Sequence, residues 1–124
     1  MNNIDGKLRD MIEEIIAQHE LYLKSLKFAI LYRKEFQHKD CGREGLENAC
    51  PFGKKLYTEI LPTIQDASDE VKRIIMEIEE LHCEFHEISK TINPLNPLQE
   101  QVDSMETVSL RFYQKLLQLK SLLK

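Results

Sequence analysis

Tryptophan is absent from this sequence of 124 residues, and glycine and proline occur only four times each. So few glycines and prolines leave long stretches uninterrupted, and a charged fraction of 31% is typical of helices with one solvated face. Apolar runs of about 18 residues are also lacking, which argues against a transmembrane helix. The charged N-terminal segment has no apolar stretch of the signal-peptide kind. We therefore expect one cytoplasmic all-α domain over residues 1–124.

An excess of basic residues is lacking as well. The 17 Lys and Arg residues are outnumbered by 21 Asp and Glu, which gives a net charge of −4. Because there is no basic stripe interleaved with aromatic residues, we expect no nucleic-acid partner. The cysteines are few and odd in number, namely Cys41, Cys50 and Cys83. In a cytoplasmic chain this count argues against a disulfide framework and favours metal or redox chemistry.

Hydrophobic periodicity predicts three long amphipathic helices and one short helix, arranged as a four-helix bundle. The first helix is predicted over residues 4–39 and the short helix over residues 51–61. The third is predicted to end near residue 92, and the C-terminal helix to cover about residues 97–123. The candidate functional motifs all fall within a core of about residues 15–95.

Capping and breaking residues refine these boundaries. Cys50 is predicted to be the N-cap of the short helix, because Pro51 suits the first helical position. Pro62 is expected to end that helix. The third helix is predicted to begin after Asp66 or Ser68, both of which can cap an N-terminus.

The apolar stripe of the first helix contains a histidine. The stripe advances by four and three residues alternately, through Leu8, Ile12, Ile15, His19, Tyr22, Leu26 and Ala29. His19 therefore stands where an aliphatic residue is expected, and a polar ring buried without a partner costs free energy. Lone histidines at such positions are usually hydrogen-bonded core residues, so a metal-binding interpretation requires further ligands.

His82 and His86 are four residues apart in the predicted third helix. A helix places such side chains one above the other, with Cβ atoms about 5–6 Å apart, so two rings can hold one ion. Each follows an apolar stripe residue, Leu81 or Phe85, which predicts a position on the flank of the core. Such a pair alone is equally compatible with a half-exposed polar flank. If the first and third helices are neighbours, however, three imidazoles can converge with His19 among them.

Cys50 can supply a fourth ligand. An N-cap position faces free backbone N–H groups and the positive end of the helix dipole, which favours the metal-binding thiolate. Gly53, one turn further on, predicts a close approach of this turn to another helix. Three imidazoles and one thiolate suit tetrahedral Zn²⁺. Because four protein ligands leave no position for water, we expect a site that is not catalytic, and a protein that is not an enzyme.

In this order, His19, the segment CPFGKKLY that begins at Cys50, and the segment HCEFH from His82 to His86 resemble the chemoreceptor zinc-binding domain. In that bacterial family, a His, a Cys in a Cys-x-Leu/Phe-Gly context and a His-x3-His pair bind one zinc ion within a four-helix bundle. The resemblance covers about residues 19–92 and implies that these four residues are zinc ligands. It also implies a cytoplasmic sensory role, a homodimer, and a partner signalling protein of the chemoreceptor or diguanylate cyclase type.

Two further expectations concern regulation and assembly. Cys50 would be the only anionic ligand, so its oxidation is expected to release zinc, with Cys41 as candidate resolving thiol. The signal would then be zinc itself or an oxidant such as hypochlorous acid, whereas Cys83 is expected to be a packing residue. A homodimer is expected because apolar residues widen the face of the C-terminal helix, namely Leu110, Tyr113, Leu117 and Leu122.

Three alternatives remain open from the sequence. His38 and Cys41 could contribute to a metal site, although a polar loop with an incidental thiol also accounts for them. A hemerythrin-like di-iron bundle uses a His-x3-His pair too, but the C-terminal helix contains no histidine and its acidic residues cluster in its first half. A metal-free helical module for dimerisation explains the apolar stripes and leaves His19 unexplained.

Overall fold

A computed structural model describes the backbone of residues 3–123 and the side chains of residues 5–123. The helices are α1 (Asn3–Tyr32), α2 (Pro51–Lys55), α3 (Leu61–Thr63), α4 (Asp69–Thr91) and α5 (Gln99–Leu122). A π-helical turn, Leu56–Ile60, joins α2 to α3, and a 3-10 turn, Ile64–Asp66, follows. The predicted all-α class is confirmed, since the described part of the chain contains a single isolated bridge, between Asp40 and Ala49, and no strand.

The first helix is shorter than predicted, because α1 ends at Tyr32 and not at residue 39. Arg33 adopts a left-handed conformation with a φ of +53°. The amide of Lys34 then donates to the carbonyl of Ala29 at 2.9 Å. This Schellman arrangement satisfies the last carbonyls of a helix. Because glycine usually occupies the left-handed position, an arginine there gives no sequence signal for the end of α1.

The short helix begins as predicted and continues further than predicted. Cys50 is its N-cap and Pro51 its first residue, and the amide of Gly53 donates to the Cys50 Sγ atom at 3.3 Å. Helical turns then run past Pro62 as far as Asp66, so the expected end at Pro62 is wrong. Pro62 lies in the first turn of α3, where its missing N–H group is tolerated.

The boundaries of the last two helices agree with the sequence. Ser68 caps α4 by accepting a hydrogen bond from the Val71 amide at 3.2 Å. α4 ends at Thr91 and α5 begins at Gln99, on either side of the Asn-Pro-Leu-Asn-Pro break. Among the helices of the described residues, none is both long enough and apolar enough to span a bilayer.

Two apolar clusters form the interior, and a layer of polar side chains separates them. The larger includes Ile12, Ile15, Ile74, Ile78, Phe112 and Leu116, and the smaller is Leu26, Phe85, Ile92, Met105 and Val108. Between them each long helix carries buried polar residues, which are His19 on α1, His82 and His86 on α4, and Ser109 on α5. We call these four residues the polar layer. α5 runs antiparallel to α1, with Lys27 bound to Glu106 at 2.6 Å.

A loop segment, residues 38–43, lies along α4 in the direction opposite to the helix, and we call it the strap. A disulfide between Cys41 and Cys83 fixes it to the helix, with a Cα–Cα distance of 4.9 Å. The expectations that disulfides are absent and that Cys83 is a packing residue are therefore wrong. The path of the strap across α4 decides this pairing, and the cysteines are 42 residues apart in sequence.

We predict that loss of this disulfide destabilises the protein by about 4 kcal/mol, because the bond restricts the unfolded chain within a loop of roughly 40 residues. Urea denaturation of the metal-free Cys41→Ser/Cys83→Ser variant measures the difference. Reduced wild-type protein is the matched control and should give the same free energy of unfolding as the variant. A loss below about 1 kcal/mol would show that the bond contributes little to the fold.

Candidate metal centre

Cys50, His82 and His86 bring one thiol and two imidazoles together in the interior. One ligand atom from each lies within 4.8 Å of the other two. Their exposed fractions are 7%, 1% and 3%. Among the described residues, this is the one group of three or more His, Cys, Asp or Glu side chains that is close enough to share an ion.

The two histidines of α4 are buried more deeply than predicted. Leu81 and Ile88, expected at the centre of the buried face, are only partly buried, whereas His82, His86 and Ser89 are fully buried. The buried face of α4 is thus wider than the predicted stripe, because it includes Ile74, Ile78 and Phe85 as predicted and extends round to the two histidines. The strap covers the flank on which the histidines lie, so that flank is buried and not half-exposed.

A backbone carbonyl orients the ring of His86. Its Nδ1 atom lies 2.9 Å from the carbonyl oxygen of Lys39. Because a carbonyl can only accept, Nδ1 carries the proton and Nε2 keeps the lone pair. Histidines that bind metals usually have their second nitrogen oriented in this manner. Tyr22 holds the strap in place here, since its hydroxyl oxygen accepts a hydrogen bond from the Lys39 amide at 3.0 Å.

His82 contacts Cys50 directly. Its Nε2 atom lies 3.0 Å from the Cys50 Sγ atom, and its ring packs edge-on against Phe52 with centroids 4.8 Å apart. Its Nδ1 atom is buried and has no hydrogen-bond partner within residues 3–123. A buried nitrogen without a partner costs free energy. Thiol sulfur and imidazole nitrogen are the donor atoms that zinc combines in protein sites.

Glycine at position 53 allows the turn that carries Cys50 to approach the strap. A Cβ atom on Gly53 would lie 2.0 Å from the carbonyl oxygen of Cys41. The Cys50 amide donates to the carbonyl of Asp40 at 3.0 Å. The close approach predicted for Gly53 therefore exists, and its nearest partner is the strap, with the His82 ring of α4 at ordinary contact distance.

Burial decides the protonation of the whole site. It lowers the pKa of His19 and of His86 to about 4, and that of His82 well below its usual value. All three rings are therefore neutral near pH 7 and have lone pairs to offer. Burial also raises the pKa of the Cys50 thiol, against the opposing effect of the amides at the start of α2. The N-cap position by itself does not produce a thiolate, so a metal ion must displace the thiol proton.

His19 lies beside this group but is not part of it. Its Nε2 atom forms a hydrogen bond with the Ser109 Oγ atom at 2.9 Å, and its ring packs on Phe85 and Phe112 with centroids 4.4 and 4.8 Å away. His19 lines the same cavity of about 320 Å³ as the other three predicted ligands. With Nε2 bonded to Ser109, Nδ1 is the nitrogen that remains for a metal.

The other predicted candidates lie elsewhere. His38 is bonded through Nε2 to the carbonyl oxygen of Ile92 at 3.0 Å and is outside the group. Cys41 is bonded to Cys83, so it is not a free thiol that can resolve an oxidised Cys50. The prediction that Cys41 is the resolving thiol for Cys50 is therefore wrong for the disulfide-bonded protein.

Two groups that orient the histidines, the Ser109 hydroxyl and the Lys39 carbonyl, are not among the site residues predicted from the sequence. Ser109 did leave a signal, because it is a polar residue in an apolar stripe, as His19 is in α1. The carbonyl of Lys39 left none, since any residue at that position would present the same backbone oxygen. Its role depends only on where the strap crosses α4.

Comparison with known proteins gave no match to a family model, to a curated protein or to a solved structure. The resemblance to the chemoreceptor zinc-binding domain thus rests on the sequence motifs alone. The function proposed for this chain rests on the geometry of the site.

We predict that the metal-free protein loses stability as the pH falls from about 6.5 to 5. In the unfolded chain, histidines take up protons near pH 6.5, whereas the folded protein keeps these rings neutral to about pH 4. The folded state therefore binds fewer protons over this range, and its free energy of unfolding must decrease with the pH. Urea denaturation in the presence of a chelator measures the effect.

The variant His82→Leu is the matched comparison, because it removes one buried imidazole and should make the dependence on pH shallower. Proton NMR of the histidine rings gives their pKa values directly. If the rings of His19 and His86 titrate near pH 6.5 in the folded protein, the predicted origin of the acid sensitivity is wrong.

Proposed function

We propose that this chain is a sensory or regulatory domain that holds one Zn²⁺ ion at Cys50, His82 and His86, with His19 as fourth ligand. The main support is the group of three buried donor atoms within 4.8 Å of one another. Neutral imidazole and thiolate suit Zn²⁺, whereas Mg²⁺ and Ca²⁺ prefer carboxylates. The group, as found among the described residues, includes no carboxylate, which also argues against a hemerythrin-like iron site.

The surrounding residues prepare this site for a metal. The carbonyl of Lys39 leaves Nε2 of His86 as the free donor atom. Ser109 can accept a hydrogen bond from the Nε2–H group of His19, which leaves Nδ1 of that ring with its lone pair. Cys50 gives up its thiol proton and supplies the single negative charge. Bound zinc would supply a cross-link between the start of α2, the middle of α4 and α1.

This cross-link suggests a regulatory role and not a catalytic one. Four protein ligands leave no coordination position for substrate or water. Zinc occupancy would fix α2 relative to α4, so its loss would let α2 shift. We infer that a partner protein in the cytoplasm reads this shift, and that a chemoreceptor or a diguanylate cyclase fits the family resemblance. Oxidation of Cys50 would release zinc by removing the anionic ligand.

The helix arrangement is compatible with the proposed family. α4 packs along α5, and α1 packs against both α5 and α2. We infer a four-helix bundle in which the segment from α2 to α3 is the short fourth member. The order of His19, Cys50 and the His82–His86 pair supports membership of the chemoreceptor zinc-binding domain family.

We predict one zinc ion per chain, measured by native mass spectrometry and elemental analysis of the purified protein. Alanine at Cys50, His82 or His86 should abolish zinc retention. His38→Ala is the matched control, because it removes the histidine outside the group and should retain one zinc. Cobalt substitution adds a second measurement, since a thiolate-to-metal absorption band should be present in wild type and absent in Cys50→Ala.

The variant His19→Ala decides the coordination number. We expect zinc to bind more than about tenfold more weakly, because one of four ligands is lost. An unchanged affinity would show that only three residues of this chain bind the metal. Protein that contains two irons, or that takes up no zinc, would contradict the proposed function.

We also propose a homodimer formed through the outer surfaces of α1 and α5. Leu21 and Phe28 on α1 are 67% and 55% exposed, and Leu110 and Leu117 on α5 are 59% and 56% exposed. Each pair is one heptad apart, so each forms an apolar stripe on its helix. The same stripes also support a metal-free dimerisation module. Native mass spectrometry and elemental analysis distinguish the two functions, because only the zinc domain would contain a metal.

We predict a dimer by light scattering and a monomer for the variant Leu110→Glu/Leu117→Glu. A charge on these stripes would have to be buried in the interface at a high cost. Met76→Glu is the control, because Met76 is an exposed apolar residue on α4, away from both stripes. A wild-type protein that is monomeric at micromolar concentration would rule out this assembly.

A further inference from the structure

Contacts with α4 and with its C-cap residue run along the whole length of the strap. Its contacts, in order along the strap, are His38 with Ile92, Lys39 with His86, Cys41 with Cys83, and Arg43 with Glu79. The disulfide is the only covalent one of these contacts. It lies next to His82 in sequence and one turn of α4 before His86.

Three consecutive residues of the strap contact the metal centre. The carbonyl of Lys39 orients His86. The carbonyl of Asp40 accepts a hydrogen bond from the Cys50 amide at 3.0 Å. The carbonyl of Cys41 packs so closely against Gly53 that no side chain fits between them. The strap therefore contacts two candidate ligands, because it orients the ring of His86 on α4 and binds the backbone of Cys50 at the start of α2.

Without the disulfide, only non-covalent contacts would hold the strap, namely the hydrogen bonds of its backbone and several ion pairs. Asp40 binds Lys90 at 2.6 Å, and Arg43 binds Glu80 at 2.9 Å, with most of these side chains well exposed. Exposed ion pairs of this kind contribute between nothing and about 1 kcal/mol each. The covalent bond is therefore a constraint that the ion pairs cannot replace, and it acts beside the hydrogen bonds of Lys39 and Asp40 to keep their carbonyls at the metal centre.

The disulfide is also accessible to a reductant. Both of its cysteines line a cavity of about 580 Å³ that is distinct from the one containing His19, and exposed residues such as Glu44 and Lys90 line it too. Cys41 is only partly buried, whereas Cys83 is fully buried. An attacking thiolate would therefore reach the Sγ atom of Cys41 first.

We propose that the Cys41–Cys83 disulfide is a reversible clamp on the metal centre, opened by a dithiol reductant, and that zinc affinity falls when it opens. This proposal rests on the proposed zinc site. In the cytoplasm, the compartment expected from the sequence, disulfides in proteins are usually transient or redox-sensing. Loss of the clamp would release the groups that orient His86 and Cys50, so part of the binding free energy would be spent on reordering them.

The opening is a thiol–disulfide exchange. A thiolate of the dithiol attacks Sγ of Cys41 and forms a mixed disulfide, and the S–S bond breaks with its electron pair on Sγ of Cys83. The leaving sulfur takes up from solvent the proton that the attacking thiol released there, and the hydroxyl of Tyr57 lies 3.5 Å from this sulfur. The second thiol of the reductant then attacks the mixed disulfide, becomes oxidised to its own disulfide, and leaves Cys41 as a thiol. Exchange with a disulfide oxidant reverses both steps.

The test compares zinc dissociation constants, measured by competition with a chromophoric chelator. Oxidised wild type is compared with wild type reduced by a phosphine and with the variant Cys41→Ser/Cys83→Ser. We expect reduced wild type and the variant to bind zinc at least about tenfold more weakly than oxidised wild type. The phosphine should not change the affinity of the variant, which controls for effects of the reductant. A smaller difference, or tighter binding after reduction, would overturn the proposal.

A kinetic experiment on native protein avoids dependence on the folding of the variant. When phosphine is added to zinc-loaded wild type, release of zinc to the chelator should follow reduction of Cys41 and Cys83, measured by alkylation and mass spectrometry. Circular dichroism monitors whether the helices persist. Zinc that stays bound to fully reduced, helical protein would refute the clamp.

Amide exchange in the metal-free protein tests the clamp independently of zinc binding. Reduction should accelerate exchange at the amides of Lys39 and Cys50 by about tenfold or more, and leave Leu116 in the distant core unchanged. Equal protection before and after reduction contradicts the clamp, whatever the metal result. If oxidised wild type binds no zinc, the proposed function fails. If it binds zinc equally in both redox states, only the clamp fails.

Discussion

Every polar atom in the layer between the two apolar clusters needs a partner, because an unpaired buried group costs free energy. Ser109 provides this partner for His19, and the carbonyl of Lys39 provides it for His86. Cys50 is the partner of one nitrogen of His82, whose other nitrogen is left without one among the described residues. These pairings fix the orientation of each ring, and the remaining features of the site follow from that orientation.

The same burial sets the chemistry of the layer. Desolvation lowers the pKa of the imidazoles and raises that of the Cys50 thiol, so the site as a whole is uncharged near neutral pH. An uncharged group of soft donors is a suitable site for a cation that supplies its own charge. The buried imidazoles also make the folded protein less stable in acid, because the unfolded chain binds protons over a pH range in which the folded chain does not.

Two sulfur reactions are proposed for this protein, one at Cys50 and one at the Cys41–Cys83 bond, and they would have opposite effects on a bound metal. Oxidation of Cys50 would remove a ligand, whereas closure of the Cys41–Cys83 bond would hold the ligands in position. A strong oxidant would therefore release zinc, and mild thiol–disulfide exchange would regulate how firmly it is held. Both effects would act on the start of α2, since Cys50 caps this helix and is anchored to the strap. This helix is thus the element through which either signal would reach a partner.

Local patterns in the sequence were sufficient for the helical class, for the cap at Cys50 and for the pairing of His82 with His86, and they limited the cap of α4 to Asp66 or Ser68. Each depends on residues within about one or two turns of one another, where periodicity and capping act. The end of α1 could not be predicted, because the left-handed residue that stops it is an arginine. Only the tertiary structure decided the depth of the histidines and the pairing of Cys41 with Cys83. The cause is the path of the strap, which has no helical period of its own and is held by contacts to residues far away in sequence.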